Sequence, residues 1–135
     1  MVVDGQTVGA IGPGFCVLLG VAASDTPGEA ERLAAKVARL RIFENDAGKF
    51  DRSAIDTGGE ALVVSQFTLI ADSKRQKGTR PDFSGAARRA EAKPLYESFC
   101  EALRRQGVPV QTGVFGARMQ LELVNDGPVT IILET

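Results

Sequence analysis

Ser65-Gln66-Phe67-Thr68 places two hydroxyls and an amide within four residues, at the polar end of an otherwise apolar run. With backbone N–H groups freed at a strand end, such a cluster can hold a carbonyl or the oxyanion formed from it. The same hydroxyls can also be satisfied by their own backbone. Gly127-Pro128, set between Asn125 and Val129-Thr130, forms a second group. Roughly 5% of X-Pro bonds in folded proteins are cis, and a cis bond here would expose two adjacent carbonyls with no side chain between them. That surface suits an ammonium group, although a plain hairpin turn uses the same residues. A third group is the basic loop with Lys74, Arg75, Lys77 and Arg80, followed by Arg88 and Arg89. It can neutralise phosphates or simply be a solvated, charged loop. In the fourth, Phe115-Gly116-Ala117-Arg118-Met119, the Phe and Met can sandwich a base or pack in the core.

Composition narrows the chemistry. The 135 residues contain no histidine and two cysteines. Ser-His-Asp and Cys-His catalysis, His-ligated metals and a histidine base are therefore closed to this chain. Cys16 lies in an apolar run and Cys100 in a helical pattern, too few and too separated for a zinc site or a disulfide framework. Both read as small buried hydrophobes of a reducing compartment, and neither a metal nor a cofactor is expected. Phe15 to Ala23, the longest apolar stretch, falls far short of the roughly 20 residues a membrane span needs. The expectation is a soluble, cytoplasmic protein with no membrane partner. The formal net charge is −1, yet residues 74 to 105 carry net +5 and the remainder net −6. One region is thus suited to facing phosphates.

The elements that must position these groups follow from periodicity. A chain of this length makes one domain, residues 1–135, burying roughly two thirds of its unfolded surface without disulfides. Asp4-Gly5 between Val2-Val3 and Gln6-Thr7-Val8 signals a hairpin. Phe15 to Val21 is apolar on both faces and reads as a central, doubly covered strand. Thr26-Pro27-Gly28-Glu29 opens a helix that places Ala30, Leu33, Ala34, Val37 and Leu40 on one face and ends near Arg41. A short strand and turn surround Asn45 to Gly48, and Gly58-Gly59 precedes a strand from Glu60 to Ile70. A second helix buries Ala92, Leu95, Tyr96, Phe99 and Leu103, with Pro94 in its first turn and Gly107 and Pro109 at its end. Three closing strands are expected over Val110 to Val114, Arg118 to Val124 and Val129 to Leu133. The reading is an α/β domain: a mixed sheet with two helices packed on one side.

The combination resembles the D-aminoacyl-tRNA deacylase family, also called D-tyrosyl-tRNA deacylase. The resembling residues are Val8 to Gly14, Leu40 to Phe43, Gly59 to Leu69, Arg80-Pro81 with Phe83 to Ala87, Thr112 to Ala117, and Asn125 to Thr130. They run in family order over nearly the whole chain. The resemblance implies a barrel-like, three-layer core and a homodimeric enzyme with its active site at the subunit interface. Such an enzyme hydrolyses the ester joining a D-amino acid, or glycine, to the 3′-terminal adenosine of tRNA. It implies that Ser65, Gln66, Phe67 and Thr68 hold the ester and terminal nucleotide, with Phe115 and Met119 beside the adenine. By the same resemblance, Gly127 and Pro128 form a Gly-cisPro motif that reaches into the partner's site and leaves no room for an L side chain. The 2′-hydroxyl of the adenosine then helps to activate water, which suits a chain without histidine. Two departures stand out. Family members begin with a further strand carrying a Gln-Arg-Val type segment, which this sequence lacks, and Lys93-Pro94 replaces helix-favouring residues. A nucleic-acid-binding dimer without catalysis and an RNA-independent small esterase are the alternative readings.

Overall fold

In the computed structural model, which describes all 135 residues, the chain opens with β1 (Val2–Val3) and β2 (Gln6–Thr7), an antiparallel hairpin. Asp4 and Gly5 take φ of 49° and 77° at its turn, the sign that matches the twist of paired strands. β3 (Gly14–Leu19) leads to α1 (Pro27–Arg39), whose first turn is closed by the Glu29 carboxylate accepting the Thr26 N–H at 2.9 Å. β4 (Phe43–Glu44) and β5 (Phe50–Arg52) pair around a turn in which Asn45 Oδ1 accepts the N–H groups of Ala47 and Lys49. A four-residue helix, α2 (Ala54–Thr57), is not anticipated from periodicity because it is too short to show any. Its signal is the Ser53-x-x-Asp56 box. Asp56 accepts the Ser53 N–H at 2.8 Å, and that bond holds its carboxyl below the usual carboxylate range. β6 (Glu60–Ser65), α3 (Arg89–Arg105) and β7 (Val110–Thr112) complete the regular structure.

β3, β6 and β7 form one parallel sheet in the order β3-β6-β7, with Gly14 opposite Glu60 and Ala61 opposite Val110. Both crossovers step across the sheet in the same direction. Right-handed connections of that kind put both helices on the same face, and there the main core lies. Ala61 and Val63 of β6 pack with Ala34, Val37 and Ala38 of α1 and with Tyr96, Phe99 and Leu103 of α3. Leu62 and Val64 alternate to the opposite face, where Met1, Ile11, Met119 and Leu121 cover them. Helices, sheet and a layer of terminal segments give the three-layer α/β architecture. The sheet is open and does not close into a barrel.

Several expectations are corrected. The strand from Phe15 is not central: β6 occupies the middle, and Leu18 on edge strand β3 is exposed. β6 ends at Ser65 rather than running to Ile70, because Phe67–Ile70 winds into a 3₁₀ turn. Pro94 sits in the second turn of α3, where the lost N–H would have bonded to the Ala90 carbonyl. Of the three closing strands only β7 forms. Between Arg118 and Val124 a single antiparallel bridge, Val2 with Gln120, is made, and Val129 to Leu133 has no strand beside it. A strand without a neighbouring backbone has no ladder to close.

Tyr96 ties the helical layer to the sheet, donating its hydroxyl to the Val63 carbonyl at 3.1 Å. Burial pushes its phenol up to about 12 and pushes the Cys100 thiol, one turn along α3, up to about 11. Cys100 is accordingly an unreactive core residue, and Cys16 is half-buried with its thiol also raised by burial. Because the folded phenol ionises above its ordinary value of 10, its contribution to stability is intact below pH 10 and is lost as pH climbs toward 12. Tyr96 is the sole tyrosine, so phenolate absorbance reports it alone. The expected midpoint is about 12 in the folded protein and about 10 in denaturant; equal midpoints would refute the assignment. Phe99 has no exposed surface, and Phe99→Ala should cost about 3–5 kcal/mol in urea unfolding.

Candidate functional site

Beyond Leu19 and Thr112 neither neighbour of β6 continues the ladder, so the chain after Ser65 must satisfy its backbone in another way. The Gln66 N–H still reaches the Leu19 carbonyl at 2.8 Å. The Leu69 N–H then turns back to the Gln66 carbonyl at 3.2 Å and starts the 3₁₀ turn. Phe67 and Thr68, its first two residues, have no carbonyl acceptor within the turn for their N–H groups. The turn lies close over Gly20, where an added Cβ would sit 3.1 Å from Leu69 Cβ. Any side chain there would lift the turn away from the sheet. Gln66 Nε2 donates to Thr68 Oγ1 at 2.6 Å, which fixes the Thr68 hydroxyl relative to the free N–H groups.

A cleft of about 570 Å³ opens beside this turn. Ser65, Gln66 and Phe67 line it together with Phe115, Gly116, Ala117 and Met119. Val64, Leu18 and Val21 add apolar surface to the lining. Phe67 is 58% exposed and meets Phe83 edge-on at 5.2 Å, while Phe115 is backed by Tyr96 at 5.6 Å. Met119 is held by packing of its thioether on Gly113 and by the Val114 N–H, 3.3 Å from its sulfur. The cleft has apolar walls for a flat group and a polar rim for an ester or amide.

Tertiary structure also selects one residue from the basic region. The 85–87 segment runs beside the chain leaving β3: Ala22 bridges Ala86, and the Ala87 N–H donates to the Val21 carbonyl at 2.9 Å. This brings the start of α3 to the cleft, where Arg89 is the one charged side chain in the lining. Its guanidinium rests directly over Gly116, a position with φ of 79° where a Cβ would overlap it. Lys74, Arg75, Lys77 and Arg80 are exposed and away from the cleft lining.

The structure therefore gathers Ser65, Gln66, Phe67, Phe115 and Met119 around one cleft, with Thr68 one residue beyond its lining. Gly127 and Pro128 are exposed and do not line it. Their peptide bond is cis, in a loop held by Asn125, whose Oδ1 accepts the Val129 N–H at 2.9 Å and whose Nδ2 donates to Thr130 Oγ1 at 3.2 Å. Met1, Leu18, Val21, Ala92 and Leu121 also belong to the lining. They carry no sequence signal, since each is an ordinary apolar residue whose place depends on chain crossing.

Comparison with known proteins gives the family. The family model described as D-Tyr-tRNA(Tyr) deacylase matches residues 1–134. A protein of Thermomicrobium roseum named D-aminoacyl-tRNA deacylase is 59% identical over 133 residues, covering 98% of this chain and 85% of that protein. One of the same name from Roseiflexus castenholzii is 58% identical, covering 98% of this chain and 83% of its own length. A solved structure described as c-Myc DNA Unwinding Element Binding Protein superposes with a TM-score of 0.88 at 44% identity, over 99% of this chain and 90% of that one. By that match over nearly its whole length and by these relatives, the chain, with its open three-stranded sheet and two same-side helices, belongs to the D-Tyr-tRNA(Tyr) deacylase family.

Proposed function

We propose that this chain hydrolyses the ester of D-aminoacyl-tRNA, and of glycyl-tRNA, in the cytoplasm, freeing the tRNA and the amino acid. The observation that carries the reading is the turn after β6. It presents the Phe67 and Thr68 N–H groups, free of partners within the turn, beside an apolar cleft, in a chain whose relatives are named for this activity. Water adds to the ester carbonyl, the N–H groups stabilise the resulting oxyanion, and collapse expels the ribose oxygen, which takes up a proton. Phe115 and Met119 supply flat apolar surface for the terminal adenine. Water is activated by the adenosine 2′-hydroxyl.

Thr68 is a positioning residue in this scheme. Its hydroxyl neighbour is the Gln66 amide at 2.6 Å, and an amide has no lone pair basic enough to take a hydroxyl proton. L-aminoacyl esters are rejected by the Gly127 and Pro128 carbonyls of a second subunit. Two features support a homodimer. The Gly127-Pro128 loop is exposed and away from its own cleft. The apolar side chains of Val124 and Ile132 are 90% and 85% exposed on the same C-terminal segment, a burden that association relieves.

A second reading, nucleic-acid binding without hydrolysis, is favoured by the description of the 44% identical solved relative as a DNA unwinding element binding protein. Incubation with D-tyrosyl-tRNA and L-tyrosyl-tRNA separates the two. Release of D-tyrosine with L-tyrosyl-tRNA intact is expected, and binding without release of either would establish the second reading. Replacing Thr68 with Val should lower kcat about tenfold, the worth of one hydrogen bond, whereas loss of a nucleophile costs at least about 10⁴-fold. Light scattering should give the mass of a dimer. Val124→Lys combined with Ile132→Lys should give a folded monomer with little activity, and an unchanged dimer would refute this assignment of the interface.

A further inference from the structure

We infer that Arg89 is the phosphate-binding residue of the cleft, contacting the 5′-phosphate of the nucleoside whose base lies against Phe115 and Met119. The inference rests on the deacylase reading and adds a residue that sets substrate affinity.

Arg89 is the one charged side chain in the lining; the other cation there, the Met1 ammonium, is buried and already donates to the Gly9 carbonyl at 2.9 Å. The ion pairs of the molecule engage Arg41, Arg52, Arg75, Arg104 and Arg105, and none engages Arg89. Its position within the fold is electrostatically unfavourable. It is the first residue of α3, where the helix dipole presents its positive end, and Arg88 precedes it. Glu91 in the same turn makes no ion pair with it. A cation repelled by its own helix and left without a carboxylate adds nothing evident to folding. Its side chain is exposed, and its guanidinium lies over Gly116, where the missing Cβ leaves room for it.

The neighbours indicate what it binds. Gly116 follows Phe115, so the guanidinium stands beside the aromatic wall of the cleft that Ser65, Gln66 and Phe67 also line. A ligand that places a flat apolar ring on Phe115 and an ester at the Ser65–Thr68 turn, and that carries one anion, has the layout of a nucleotide. The planar guanidinium fork matches two phosphate oxygens. The aminoacyl ester itself has no negative charge, so the phosphodiester is the anion available.

The test compares two small substrates, 3′-(D-tyrosyl)adenosine with a free 5′-hydroxyl and the same compound carrying a 5′-phosphate, together with D-tyrosyl-tRNA. The unaltered protein should prefer the phosphorylated compound. Arg89→Ala should raise KM about ten- to a hundredfold on that compound and on tRNA with kcat little changed, and should abolish the preference. Arg89→Lys should restore part of it. The slope of log(kcat/KM) against log salt on tRNA should become shallower by about 0.7, one phosphate contact on a single strand. Lys93→Ala, an exposed charge on the same helix, serves as the control, and thermal melting should show Arg89→Ala at least as stable as the parent. An unchanged KM, or equal losses on both small substrates, would overturn the phosphate assignment while leaving the deacylase reading intact. If the unaltered protein hydrolyses none of the three, the deacylase reading falls and the assignment falls with it.

Discussion

The structure depends on one constraint: β6 is paired on both edges and buried on both faces. Its N–H and C=O groups are shared between β3 and β7, and Ala61 to Val64 have at most 5% of their surface exposed. A strand so enclosed fixes its register, since a slip by one residue would exchange the side chains facing the helices with those facing the terminal layer. The Tyr96 hydroxyl on the Val63 carbonyl adds a polar link between α3 and this strand.

The site arises where that enclosure stops. β3 and β7 end before β6 can be extended, so the backbone after Ser65 leaves the ladder and turns back on itself. The turn exchanges strand pairing for unpaired N–H groups at its start, a local cost that the rigid sheet beneath it sustains. The fold thus places donors at a strand end beside an apolar cleft without a histidine or a metal ligand. Two crossovers in the same direction along the sheet, right-handed as such connections are, put α3 on the same face as α1, and the first residue of α3 lies over Gly116.

Much of this was legible in the sequence for local reasons. Asp4-Gly5 specifies a hairpin because both positions favour positive φ. Thr26-Pro27-x-Glu29 specifies a helix start because its groups close on one another over three residues. The unbroken apolar run from Ala61 to Val64 specifies a strand buried on both faces. Where the reading was wrong, the missing information was a neighbour. Phe15 to Val21 is apolar enough for a central strand, yet the strand order places it at an edge. Arg118 to Val124 and Val129 to Leu133 have strand-like patterns, yet the first finds only the single Val2–Gln120 bridge and the second has no strand beside it.

The sequence by itself determined which chemistry was open to this protein. Residue types are a property of the chain, so the absence of histidine and the grouping of hydroxyl and amide at Ser65 to Thr68 needed no coordinates. Tertiary structure decided which of those groups share a space. It brought Phe115 and Met119 to the turn, left Gly127 and Pro128 outside the cleft, and selected Arg89 from a run of basic residues that composition cannot rank. The physical reason is that proximity across a parallel sheet is set by strand order and crossover hand, and these depend on contacts between residues far apart in the chain.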